Sequence, residues 1–151
     1  MGWVRTAAFA SPDGRIALSG NSDSNLYQWD LATGKKLRDF KGHTGGVTAL
    51  AVSRDGRLAV SAADDKTLRL WDAATGTPLR TLTGHTGRIE SVAFSPDGRQ
   101  LLSGGGRRDF SRRSRTHPDD MIVRLWDTST GEQIRGLTGH KDDVNLSLIH
   151  I

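Results

Sequence analysis

Histidine, serine and aspartate recur in this chain in the combination of a hydrolytic triad. His43, Ser61 and Asp65 make one set, and His85, Ser103 and Asp120 make a second. Ser19 and Asp23 make a third, with no histidine before them. In a hydrolase, such groups serve as nucleophile, base and orienting acid. Two features argue against that chemistry. An enzyme is expected to carry one catalytic set, and here the set repeats. Each aspartate is also followed six residues later by a tryptophan, at Trp29, Trp71 and Trp126. A buried indole N–H needs an acceptor, a serine hydroxyl can accept it and donate onward, and a neutral histidine can link hydroxyl to carboxylate. The groups can therefore satisfy one another. No nucleophile elbow or oxyanion-donor pattern accompanies them.

Other candidates carry less. His117, Asp119 and Asp120 could hold a metal, but one histidine and two acids in a loop read first as a solvated turn. Gly104-Gly105-Gly106 runs into arginine and not into a helix, so it is no phosphate loop. Asp30, Asp72 and Asp127 each follow a tryptophan at a strand end, where a carboxylate serves as turn acceptor. The residues thus point to no catalytic, cofactor or metal site. Arg107, Arg108, Arg112, Arg113 and Arg115 crowd one stretch with Phe110. They could meet phosphates by charge and bases by stacking; the preferred reading is a solvated insertion. Trp3 stands where the repeat elsewhere has Gly46 and Arg88, so it is no core position. It reads equally as a partner anchor or as an exposed former contact.

The elements that position these residues follow from the repeat. Trp-Asp pairs recur 42 and then 55 residues apart, and Gly42-His43, Gly84-His85 and Gly139-His140 recur at the same two intervals. The longer interval is the same unit with 13 residues inserted between Ser103 and Trp126. Each unit reads strand, turn, strand, turn, strand, turn, strand. Inner strands are expected at Val4–Phe9, Val47–Val52 and Ile89–Phe94, and second strands at Ile16–Gly20, Leu58–Ala62 and Gln100–Gly104. Third strands are expected at Leu26–Asp30, Leu68–Asp72 and Val123–Asp127, and outer strands at Lys36–Phe40, Pro78–Leu82 and Gln133–Leu137. Ser-Pro-Asp-Gly and Ala-Thr-Gly stretches between them carry turn chemistry.

Gly-His before Trp-Asp at this period resembles the WD-repeat β-propeller family. The resemblance covers nearly the whole chain. It implies an all-β fold: three four-stranded antiparallel blades in an incomplete, open ring. Blades are expected at about 2–40, 45–82 and 87–137 within a unit spanning 1–145. A fourth would begin at 140–145, and an Arg-rich loop is inserted at 104–119. By the same resemblance His43, Ser61, Asp65 and Trp71 form a hydrogen-bonded tetrad. His85, Ser103, Asp120 and Trp126 form another, and Ser19, Asp23 and Trp29 an incomplete one.

The family also implies function. The expectation is a non-catalytic protein–protein interaction scaffold, similar to propeller regions of bacterial signalling or regulatory proteins. Candidate contacts are Trp3, Ser22, Asp64, Arg88, Asp119 and the five loop arginines. RNA binding through the Arg-rich loop is the alternative. A second alternative is a regulatory module of a multidomain enzyme such as a protein kinase. Expected partners are other proteins, with nucleic acid not favoured and no membrane. Missing blades of a parent chain, or a second copy, would cover the open ends.

Composition agrees with many short strands. The chain has 151 residues, 18 glycines, 35% hydrophobic residues and no cysteine. A disulfide framework and thiol chemistry are excluded, and no apolar run reaches the roughly 18 residues of a membrane helix. Absence of cysteine suits a cytoplasmic location. The net charge of +4 comes largely from the arginine stretch. A closed propeller needs about 4–8 blades, more than this length supplies. The end, Leu146-Ser147-Leu148-Ile149-His150-Ile151, resembles the translation of a sequencing-library adapter. The expectation is therefore that 146–151 is a non-native tail on a truncated chain.

Overall fold

A computed structural model describes residues 2–106 and 120–139. Within them run twelve strands. The first four are β1 (Val4–Phe9), β2 (Ile16–Asn21), β3 (Leu26–Asp30) and β4 (Lys35–Phe40). The next are β5 (Val47–Val52), β6 (Leu58–Ala63), β7 (Leu68–Asp72) and β8 (Pro78–Leu82). The last are β9 (Ile89–Phe94), β10 (Gln100–Gly105), β11 (Val123–Asp127) and β12 (Gln133–Leu137). Each group of four forms one antiparallel sheet in chain order. The fold is all-β, and among the described residues the three sheets do not close a ring.

Most strand bounds coincide with those read from the repeat. The second strands run one residue further, to Asn21, Ala63 and Gly105, and β4 starts one residue earlier. For the second strands the cause is a bulge near the start of each inner strand. It lets pairing continue to Val4 opposite Asn21, Val47 opposite Ala63 and Ile89 opposite Gly105.

Alternation along a strand feeds two cores at once. On β7, Leu68 and Leu70 pack with Ile89, Leu101 and Trp126 of the third sheet. Trp71, on the same strand, packs with Leu18, Leu26 and Phe40 of the first. Phe40 lies against Trp71 with ring centroids 5.6 Å apart. Polar bonds also cross between sheets: Gln28 Nε2 donates to the Ala73 carbonyl at 2.8 Å, and Thr48 Oγ1 to the Ile89 carbonyl at 2.6 Å. Leu37, Leu79 and Ile134 of the outer strands stay half-exposed in all three sheets. They form the rim.

The turns close by side-chain bonds to their own backbone. Ser53 Oγ donates to Asp55 Oδ1 at 2.6 Å, Asp55 Oδ1 accepts from Arg57 N, and Gly56 takes φ +74°. After each third strand the Trp-Asp carboxylate accepts two backbone N–H groups. Asp72 Oδ1 takes Ala74 N at 3.0 Å and Thr75 N at 2.9 Å, and Asp30 and Asp127 do the same. These aspartates are turn acceptors.

Candidate functional site

In the second sheet, the loop between β4 and β5 carries His43 to Ser61 of β6. Trp71 Nε1 donates to Ser61 Oγ at 2.8 Å. His43 Nε2 lies 2.7 Å from the same oxygen, and His43 Nδ1 lies 2.9 Å from Asp65 Oδ2. Direction follows from the donor inventory. An ionised carboxylate only accepts, so His43 carries its proton on Nδ1 and its Nε2 accepts the Ser61 hydroxyl proton. Asp65 also takes Thr44 N, Thr67 N and the Thr67 hydroxyl. Ser61 and Trp71 are fully buried.

The third sheet repeats the arrangement across the insertion. Trp126 Nε1 donates to Ser103 Oγ at 2.8 Å, His85 Nε2 is 2.6 Å from Ser103 Oγ, and His85 Nδ1 is 2.7 Å from Asp120 Oδ2. One difference is charged. Arg124 Nη1 donates to Asp120 Oδ1 at 2.6 Å and to Oδ2 at 2.9 Å, where Asp65 instead has Thr67. Arg124 Nη1 also lies 2.9 Å from His85 Nδ1. Both nitrogens are donors to Asp120, so that approach is a shared acceptor and not a bond.

The first sheet departs from the pattern. Trp29 Nε1 donates to Ser19 Oγ at 2.9 Å, but Asp23 Oδ2 accepts from the Tyr27 hydroxyl at 2.9 Å. Tyr27 stands where the other sheets have Arg69 and Arg124. Trp29 is only half-buried.

Electrostatics keep the clusters in one protonation state. Burial pushes His43 and His85 below the ordinary imidazole range, against the pull of Asp65 and Asp120. Burial alone would raise the two carboxyls. At Asp65 the bonds from His43 and Thr67 outweigh it, and at Asp120 those from Arg124, His85 and the Thr86 N–H do. Both stay below the usual carboxylate range, so neutral histidine faces ionised aspartate.

The candidate contacts lie along the ends of the inner strands. Trp3 is 85% exposed, and its backbone is held by Ser22 through Trp3 N to Ser22 Oγ at 2.8 Å and Ser22 N to Trp3 O at 2.9 Å. Asp64 and Arg88 belong to a chain of ion pairs that sequence reasoning missed. Arg5 Nη1 is 2.9 Å from Asp64 Oδ2, Arg88 Nε is 3.5 Å from Asp64 Oδ1, and Arg88 Nε is 3.0 Å from Glu90 Oε1. The line joins all three sheets. Nothing in the repeat marks it, because Arg5 and Glu90 stand at equivalent strand positions with opposite charge two blades apart. Arg107, Arg108, Arg112, Arg113, Arg115 and Asp119 lie outside the described residues, as do His117 and the 140–145 and 146–151 segments. Among the described residues no group of histidines and acids is arranged to hold a metal ion. None of their helices is long and apolar enough to cross a membrane.

Comparison with known proteins agrees with this architecture. The WD domain, G-beta repeat model matches residues 2–30, 34–72 and 76–127. The chain is similar to "Pre-mRNA-splicing factor cwf17" of Schizosaccharomyces pombe, 45% identical over 42 residues, 28% of this chain and 12% of that protein. It is also similar to "Pre-mRNA-splicing factor PRP46" of Saccharomyces cerevisiae, 38% identical over 52 residues, 34% of this chain and 12% of that protein. Among solved structures, that of U3-55K superposes with a TM-score of 0.82 at 24% identity, and the WD40 repeats of RRP9 with 0.81 at 24%. Each covers 95% of this chain and 41% of the solved one. The matches therefore span well under half of any of these relatives. A repeat model covering most of the chain, on three sheets of four strands in order, places this protein in the WD40 family.

Proposed function

We propose that this chain is a rigid protein-interaction platform with no chemistry of its own. One observation carries this reading. The serine, histidine and aspartate side chains of the two complete sets are already bonded to one another inside their blades. Ser61 and Ser103 are fully buried, accept from tryptophan and donate to histidine. Neither oxygen can reach a substrate carbonyl. The sets act as clamps that tie the entering loop to the middle strands, and the stiff stack presents loops whose residues vary without disturbing the core.

The surface offered to a partner is the inner-strand end bearing Trp3, Ser22, Asp64 and Arg88. Trp3 supplies the apolar anchor, and the ion-pair line beside it supplies charged groups to re-pair. The test is site-specific photocrosslinking in cells. A crosslinker at Trp3 is expected to transfer to discrete protein partners, and one at Leu37 on the rim is not. Transfer from Leu37 and none from Trp3 would overturn the assignment of the face.

A second reading draws on the relatives' names and the five arginines. Both curated relatives are named splicing factors, which favours partners within RNA–protein assemblies. Salt-dependent RNA binding lost on changing Arg107–Arg115 to alanine would place RNA itself among the ligands. No binding at low salt would exclude it. Those relatives are yeast proteins and lend no support to a bacterial signalling parent.

A further inference from the structure

The second and third blades use the same arginine differently. Arg69 and Arg124 stand at equivalent positions of β7 and β11, two residues before the buried tryptophan. Arg124 is buried and donates to Asp120 through Nη1 at 2.6 and 2.9 Å. Asp65, the counterpart of Asp120, is filled without an arginine. It takes the His43 Nδ1 proton, the Thr44 and Thr67 N–H groups and the Thr67 hydroxyl. Arg69 is therefore left outside the clamp. It is part-exposed, and its Nη1 lies 2.8 Å from where a Cβ on Gly42 would stand, against the loop that enters the blade. The equivalent space at Gly84 holds no arginine: a Cβ there would meet Trp126 and Gln133.

Two lysines share that end of the blade. Lys41 precedes Gly42 and is exposed, and Lys66 is half-buried on the turn between β6 and β7. The entering loop packs on that turn, where a Cβ on Gly45 would come within 2.6 Å of Asp65 N. The acids beside them are already committed, Asp65 to the clamp and Asp64 to both Arg5 and Arg88. Among the described residues, Lys41, Lys66 and Arg69 are paired with no carboxylate. The other blades lack the set. Thr83 and Met121 stand for the lysines in the third, and Ser24 and Tyr27 stand for Lys66 and Arg69 in the first.

We infer that this end of the second blade docks an acidic segment of a partner protein, with Arg69 holding one carboxylate and Lys41 and Lys66 flanking it. The inference rests on the platform reading and adds the chemistry of the partner. A guanidinium presents parallel N–H donors that match a carboxylate, and such charge-assisted pairs are the stronger ones. The clamp is complete without Arg69, so turning it to a partner leaves no buried group short of a bond. Trp71, the only tryptophan, tyrosine or phenylalanine between Gly42 and Leu82, is fully buried. No ring of that stretch is open for a base to stack on, which favours a peptide over single-stranded nucleic acid.

The test is fluorescence anisotropy of a fluorescein-labelled decaglutamate peptide, titrated at low salt with the full 151-residue chain. Arg69→Gln is expected to weaken binding about threefold, and the triple change Lys41→Gln, Lys66→Gln and Arg69→Gln about tenfold or more. Thr67→Ile is the sharper variant. It copies Ile122, frees Asp65 of the Thr67 hydroxyl and draws Arg69 inward as Arg124 is drawn. Binding is expected to fall about as far as with Arg69→Gln, although the net charge is unchanged. Arg54→Gln removes the same charge from the turn between β5 and β6, at the opposite end of the blade, and is expected to change nothing. Circular dichroism confirms that each variant remains folded. Binding indifferent to Arg69→Gln and to the triple change overturns the inference, as does an equal loss with Arg54→Gln, which would mark net charge alone. Loss confined to a variant with Arg107, Arg108, Arg112, Arg113 and Arg115 changed to alanine overturns it too. A labelled decauridylate bound more tightly than decaglutamate through the same three cations would assign the site to nucleic acid instead. The platform reading is judged separately, by the crosslink from Trp3, which none of these variants alters.

Discussion

Replacing Ser61 by alanine is the sharpest perturbation of the second blade. Ser61 Oγ sits 2.8 Å from Trp71 Nε1 and 2.7 Å from His43 Nε2. The serine and the tryptophan are both fully buried, and the His43 side chain is closed to solvent. The substitution strands one buried donor and one buried acceptor while changing little volume. At about 1–3 kcal/mol per stranded group, the loss is about 2–6 kcal/mol. That is a large share of the roughly 5–15 kcal/mol that holds a typical domain. Ser19→Ala is the internal control. It strands only the indole of half-buried Trp29, which water can reach, so about 0.5–1.5 kcal/mol is expected. The assay is urea unfolding of all three chains at one protein concentration, since association adds stability by mass action, with equal slopes required. The reasoning fails if Ser61→Ala lies within about 0.5 kcal/mol of the parent, or if Ser19→Ala matches it. Unchanged stability with loss of some hydrolytic turnover would instead mark Ser61 as a nucleophile.

Further outcomes are expected. His43 and His85 are held below their unfolded values, so the unfolded chain binds protons first; stability is full above about pH 6.5 and falls below it by up to about 1.4 kcal/mol per pH unit per histidine. The lowered carboxyls of Asp65 and Asp120 add a second loss below about pH 4, so urea midpoints at pH 7.5, 5.5 and 3.5 should fall in that order. Gly34→Ala meets open space at φ +70° and should cost about 1–2 kcal/mol in thermal unfolding from conformation alone. Gly76→Ala, at φ +75° with its Cβ 2.9 Å from the Phe40 ring, should cost about 1–3 kcal/mol more. Arg124→Ala leaves buried Asp120 short of its cation and should cost about 3–5 kcal/mol, whereas Asp64→Ala breaks only half-exposed pairs and should cost under about 1 kcal/mol, less at high salt.

The framework of the fold is written in the sequence because each turn carries its own chemistry. Asp55 and Gly56 close one hairpin and Asp72 and Gly76 another by strictly local bonds, so their strands could be placed by inspection. The six-residue step from Asp120 to Trp126 survives the insertion, which is why that cluster could be named across it. Other features depend on groups far apart in the chain. Tyr27 takes over Asp23 only because the side chain two before Trp29 happens to be a phenol. Arg124 and Arg69 occupy equivalent positions, yet only Arg124 reaches the carboxylate, because Thr67 satisfies Asp65 and Ile122 cannot do the same for Asp120. Strand pairing through a bulge lengthened the second strands beyond their apparent ends. Full burial of Trp71 against the partial burial of Trp29 is set by the neighbouring blade, and no reading of one repeat contains it.

The central claim is that the Trp-Ser-His-Asp sets are internal clamps whose hold requires both the histidine and the covering blade. Hydrogen exchange of the four indole N–H groups, followed by NMR, tests it directly. Trp71 and Trp126 are expected to exchange together and slowest, near the rate set by global unfolding. Trp29, bonded to Ser19 but only part-buried, should exchange well ahead of them, and Trp3 fastest. Trp71 or Trp126 exchanging as fast as Trp29 would contradict the account.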